Sequence, residues 1–180
     1  EEQQRYRLGE AHLMLKRELR LPNSNLDAMA KYFANCEDEA SASEAYYIQG
    51  AYLNYIGENT QAMQYLKKAE SYPAASIIRG MTYYKMGRIS ESEQLYDIAL
   101  ENYQKALPYL EEAGLPLYLA SVYRELGRNT DEEIGNKYFD KALAAARFMG
   151  DSILYMDIRY AQLSINQPNS PEIARICQYM

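Results

Sequence analysis

The chain has 180 residues, 48% of them hydrophobic, which is enough to bury a core and excludes the composition of a disordered segment. A net charge of −6 and a pI of about 5.0 argue against direct nucleic-acid binding by this segment, which needs a positive stripe. No apolar run approaches the about 20 residues of a membrane span, so membrane insertion is not expected.

In chain order, residues 5–20 read as a helix with Leu8, Leu15 and Leu19 in apolar register and Leu13 and Met14 beside them; Pro22 ends it. Asn23, Ser24 and Asn25 offer N-caps for a second helix from Leu26 to Asn35, carrying Met29, Tyr32 and Phe33. Ala28 and Tyr32 keep a spacing met again downstream. Ser41 with Glu44 makes a capping box, and helices are predicted from Ser43 to Ile56 and from Thr60 to Glu70. Pro73 suits the first turn of the next helix, which runs to Met86.

Ser90 with Glu93 makes a second capping box, opening a long helix that Pro108 either kinks or stops. Gly114 and Pro116 mark the next boundary. Thr130 and Glu133 cap a helix ending at Gly150, and Asp151 caps another reaching about Ile165. There Tyr155 and Tyr160 repeat Tyr118 and Tyr123, with Asp157 in the place of Ala120. Ser170 and Pro171 start a last helix, cut off at Met180, which implies that the natural protein continues.

Within this series one pattern recurs. Gly50, Leu53, Ile56 and Gly57 match Gly80, Tyr83, Met86 and Gly87, then Ala120, Tyr123, Leu126 and Gly127, at steps of three, six and seven residues. Each is followed by a second half: Ala62, Leu66, Ala69; then Ala99, Tyr103, Ala106; then Gly135, Phe139, Ala142, at steps of four and seven. The small residues allow close helix approach, and Gly57, Gly87 and Gly127 are predicted to end helices, because glycine takes φ > 0 without strain. From Gly87 to Ala99 is 12 residues against 62 − 57 = 5 in the first unit, and the excess is assigned to the long helix after Ser90.

The spacing over residues 41–149 resembles the tetratricopeptide repeat, a helix–turn–helix unit of about 34 residues. The resemblance implies an all-α fold, a right-handed α-solenoid of antiparallel helix pairs. Its units are a diverged repeat at 5–36, repeats at about 41–71, 73–113 and 115–149, and a partial one at 151–180. It also implies a concave face built from the first helix of each unit. In that frame Tyr47, Ala51 and Asn54, then Ile77, Met81 and Tyr84, then Leu117, Ser121 and Arg124 line the groove, with Lys85 beside it. The set lacks the paired Lys/Arg/Asn clamp by which co-chaperone versions hold a C-terminal carboxylate.

No chemistry of catalysis is visible. His12 is the single histidine, which excludes HExxH and disfavours histidine triads. Asp131, Glu132 and Glu133 read as helix N-terminal acids rather than metal ligands. No glycine pattern makes a phosphate cradle, and Cys36 and Cys177 have no metal spacing. In a solenoid the two cysteines would sit at opposite ends, so no disulfide between them is expected. Most of the 19 tyrosines are read as packing residues. Basic residues are absent between Lys31 and Lys67, which predicts a solvated acidic face there.

The expectation is a non-enzymatic scaffold, without cofactor or metal, that binds a protein or peptide. Irregular units and the Gly150–Asp151 junction look like the repeat regions of bacterial sensory and regulatory proteins. The alternatives are an extracytoplasmic small-molecule or glycan-binding module, and self-assembly into a homo-oligomer. The opening at Glu1 rather than Met is compatible with a removed signal, which leaves the compartment open between cytoplasmic and extracytoplasmic, membrane-anchored.

Overall fold

A computed structural model describes residues 2–16 and 26–179. The expected roles of Leu19, Pro22 and the Asn23–Asn25 caps lie outside these residues. The described residues form ten α-helices and no strand: α1 (Glu2–Lys16), α2 (Leu26–Asn35), α3 (Glu39–Tyr55), α4 (Asn59–Glu70), α5 (Ser76–Ser92), α6 (Tyr96–Glu112), α7 (Pro116–Arg128), α8 (Glu132–Met149), α9 (Ser152–Asn166) and α10 (Pro171–Cys177). The all-α expectation is met, and α2 has the predicted span.

Five connections close in one way. A residue with positive φ follows the helix, and the next N–H reaches back into the last turn. The residues are Glu37 (59°), Gly57 (88°), Gln94 (60°), Gly114 (63°) and Gly150 (68°). The bonds are Asp38 N to Phe33 O at 2.9 Å, Glu58 N to Leu53 O at 2.8 Å, Leu95 N to Ser90 O at 2.8 Å, Leu115 N to Leu110 O at 3.2 Å and Asp151 N to Ala146 O at 3.1 Å. This pattern satisfies carbonyls that the helix end leaves without a partner.

Two of the predicted helix breaks are corrected. Gly57 does turn the chain, but Gly87 lies inside α5 and Gly127 inside α7, and both are buried. The turn after α5 falls at Gln94 instead. The reason for Gly87 is steric: a Cβ there would stand 2.6 Å from Tyr103 Cε1 on α6. Gly80, seven residues earlier, meets Leu110, seven residues after Tyr103, at 2.8 Å, so α5 and α6 run antiparallel. Gly50 meets Leu66 in the same manner at 2.8 Å. Gly50 thus corresponds to Gly87, since 66 − 50 = 103 − 87 = 16. The supposed long helix after Ser90 dissolves, because the seven extra residues belong to α5. For Gly127, contact with Phe139 at 3.1 Å gives 139 − 127 = 12, a connection about one helical turn shorter.

The predicted capping boxes are also corrected. Asp38 caps α3, its Oδ1 accepting from Ser41 N at 3.2 Å. Asp131 caps α8, its Oδ1 accepting from Ile134 N at 3.1 Å, while Thr130 Oγ1 donates back to Leu126 O at 2.8 Å. Ser90 is a buried residue of α5. A carboxylate that can reach the free N–H groups adds favourable charge at the helix N-terminus, which a neighbouring hydroxyl cannot. Asp151 and Ser170 cap α9 and α10 as predicted, and Pro116 opens α7. Pro108 does not stop its helix: α6 runs through it to Glu112.

Each helix from α2 onward packs on the next, and the odd-numbered helices also touch in series: α1 with α3, α3 with α5, α5 with α7, and α7 with α9. The buried side chains Leu66, Tyr103, Leu110 and Phe139 of the even helices pack against glycines of their odd partners, Gly50, Gly87, Gly80 and Gly127. Cys36 and Cys177 are exposed free thiols. Among the described residues no helix is long and apolar enough to cross a membrane.

Candidate functional site

The odd-numbered helices bring the sequence-derived site residues onto one layer, but unequally. Tyr47, Met81 and Tyr84 are buried, at 1%, 5% and 8% exposure. Tyr47 on α3 lies near the hydroxyls of Tyr84 on α5 and Tyr118 on α7; burial first, then these neighbours, raise its ionisation well above the usual tyrosine range. Tyr84 meets Tyr118 edge-on at 5.4 Å and its hydroxyl accepts from Arg88 Nη1 at 3.3 Å. These rings are mortar between successive odd helices. Ala51 is buried with them, Ile77 is half-buried, and Leu117 is exposed.

The remaining four residues are half-buried and polar. Asn54 Nδ2 donates to Asn59 Oδ1 at 3.0 Å across the α3–α4 turn. Ser121 Oγ donates to Leu117 O at 3.1 Å, within its own helix. Lys85 stands on α5 one position beyond Tyr84. Arg124 is drawn into an ionic network that the sequence reading did not anticipate.

The network spans four helices. Arg124 on α7 gives Nε and Nη2 to Glu125 Oε1, at 2.8 and 2.5 Å, and Nη1 to Asp157 on α9. Arg128 Nη1 lies 3.6 Å from Glu125 Oε2. On α5, Arg88 Nε is 3.7 Å from Glu91 Oε2, which also accepts from the Tyr103 hydroxyl of α6 at 2.9 Å. Burial pushes the Glu125 carboxyl above its usual value, Arg124 pulls it back, and the neighbouring Glu91 adds to the rise. Burial opposes the Arg124 charge, but Glu125 and then Asp157 more than offset this. One signal in the sequence could have found the network: Glu125 is an acid beside Val122 and Leu126, at helical spacing on a stripe that has to be buried.

His12 is half-buried, with Nδ1 2.5 Å from Glu44 Oε1, and so ties α1 to α3. A cavity of 630 Å³ opens beside it, lined among others by Arg5, Tyr6, Leu13 and Glu44. A second groove, of 470 Å³, runs between α4 and the α5–α6 turn past Met63, Lys67, Ile89 and Leu95. Among the described residues no group of three or more His, Cys, Asp or Glu side chains is placed to hold a metal. Comparisons with protein-family models, curated proteins and solved structures find no match to this chain.

Proposed function

We propose that the chain is a non-enzymatic helical-repeat scaffold of the tetratricopeptide kind, a right-handed superhelix that binds a protein or peptide segment along its odd-numbered helices. The observation that carries this reading is the serial contact of α1, α3, α5, α7 and α9, each of the middle three backed by an even helix through a small-against-large contact. Such an array stacks units that contact their neighbours and leaves a long continuous surface, which is what extended-segment binding requires. With Tyr47, Met81 and Tyr84 taken up in packing and Arg124 committed to Glu125 and Asp157, the contact surface falls to Asn54, Lys85 and Ser121. These offer amide, ammonium and hydroxyl groups to a peptide backbone and to acidic side chains. By analogy with the repeat regions it resembles, the scaffold serves as the interaction or sensory part of a longer bacterial regulatory protein.

The test is selection from a random displayed-peptide library, followed by NMR mapping of the selected peptide on the isotope-labelled chain. Shifts running along α3, α5 and α7, and weakened by Asn54→Ala or Lys85→Ala, are the expected result. Shifts confined to the even helices would overturn the assignment of the binding face. A self-association reading is favoured by one separate observation: Phe148, Ile153 and Tyr179, in the α8–α10 part of the chain, are exposed to 85%, 69% and 77%. Sedimentation of the purified chain over a range of concentrations decides that point.

A further inference from the structure

We propose that Glu125 and Glu91 share one proton, and that this proton latches α5 to α7 and makes the packing of the odd-helix layer respond to pH. The proposal stands on the unequal dressing of the two Glu125 oxygens. Oε1 receives two N–H groups of Arg124, at 2.8 and 2.5 Å, as a charged acceptor would. Oε2 is fully buried and has no hydrogen-bond donor. Arg128 Nη1, at 3.6 Å, stays beyond hydrogen-bond reach. A carboxylate oxygen in that position is costly, and carrying a proton removes the cost.

The acceptor for that proton is Glu91, the carboxyl that faces Glu125 across the α5–α7 contact. Glu91 is itself held in place by two further groups. The Tyr103 hydroxyl donates to it at 2.9 Å and Arg88 Nε stands 3.7 Å away. The groups facing the pair are therefore Arg88 and Tyr84 from α5, Tyr103 from α6, Arg124 and Arg128 from α7, and Asp157 from α9, which Arg124 already engages. Two ionised carboxylates at this contact would repel, whereas one proton between them is a hydrogen bond from one odd helix to the next.

The sign follows. The folded state holds the proton on Glu125 above the usual glutamate value of 4.5, where the unfolded chain has released it. Stability therefore falls as pH rises from that value through the titration of the pair, and is level beyond it.

The test is carboxyl NMR of the full chain labelled at the glutamate side chains, together with denaturant midpoints across the same pH series. In the wild type one glutamate resonance should titrate above the usual range, and the midpoint should fall through the same interval. Glu125→Gln, whose amide donates to Glu91 at every pH, should abolish that resonance and flatten the midpoint. Above the titration, it should also slow amide exchange in α7 about tenfold relative to wild type. Glu91→Gln should move the Glu125 titration back toward the usual value. No glutamate titrating high, an unchanged slope in Glu125→Gln, or a Glu125 titration indifferent to Glu91→Gln would each overturn the shared proton. The wild-type NMR titration decides the matter even where a variant fails to fold.

Discussion

At the α2–α4 junction Asp27 meets Lys31 at 2.7 Å and Lys68 at 3.5 Å, whereas at the α5–α7 junction Glu125 meets Arg124 on one side and a second carboxylate on the other. Both acids join helices of successive pairs, yet they are displaced in opposite directions. Asp27 is held below its usual value, first by the hydrogen bond from Lys31, and its side chain keeps 26% exposure. Glu125, at 2% side-chain exposure, is held above it by burial. Two ammonium groups in partial contact with water favour the charge of Asp27. Deep burial disfavours the charge of Glu125 even beside a guanidinium. The balance between pairing and desolvation, rather than the number of ion pairs, sets the sign.

The largest expected effect breaks this contrast from the cationic side. Arg124→Ala leaves Glu125 and Asp157 without their shared partner and should cost about 3 kcal/mol at neutral pH, as removal of one member of a buried pair does. The loss should shrink in acid, where Glu125 is protonated. Lys31→Ala, at an exposed pair, should barely move the denaturation midpoint. Equal losses at the two sites would show that Glu125 is not buried as described.

Next comes the apolar counterpart of the comparison. Gly87→Ala drives a methyl against the rigid Tyr103 ring, at 2.6 Å, while Gly50→Ala meets Cγ of Leu66, an aliphatic side chain with more freedom to turn aside, at 2.8 Å. Overpacking costs roughly 1–3 kcal/mol, and Gly87→Ala should fall at the upper end and Gly50→Ala at the lower. Thermal melts of the two variants check the order, and a larger loss at Gly50 would contradict the ring contact.

A pH series sharpens the contrast of the two acids. The Asp27 contribution is present above its usual value of 3.8 and is lost as pH falls through the lowered folded value. Asp27→Asn should therefore flatten the acid limb of the stability profile and leave the higher limb, that of Glu125, in place. Loss of the higher limb in Asp27→Asn would mean that the two junctions are coupled.

What the sequence showed and concealed follows from the same geometry. The span of α2 and the starts of α7, α9 and α10 were legible, because Pro116, Asp151, Ser170 and Pro171 act on their own backbone. The role of Gly87 was not. It follows Gly80 by seven residues, nearly two full turns, so both glycines lie on one face, and a pattern of offsets cannot distinguish a slide of seven. Only the contact with Tyr103 fixes the register. The burial of Tyr47 and Tyr84 and the ionic network were concealed for another reason. Each depends on which odd helix lies alongside, and the spacing within one helix does not encode that.

The smallest expected effect tests the corrected register directly. Gln94 stands at φ 60°, where Gly57 stands at 88°, and each lets the next N–H reach the carbonyl five residues back, at 2.8 Å. An L-residue in the left-handed region is disfavoured by about 1 kcal/mol, which glycine avoids. Glycine gives back part of this through the greater freedom of its unfolded chain. Gln94→Gly should thus stabilise by about 0.5 kcal/mol, a shift of only a few degrees in Tm at most. The reverse exchange, Gly57→Gln, should destabilise by a similar amount, since open space around Gly57 leaves backbone strain as the main cost. Placing the turn at Gly87 instead would leave Gln94 in an ordinary helix, where glycine destabilises by about 1 kcal/mol. The sign of the Gln94→Gly change therefore decides between the two registers.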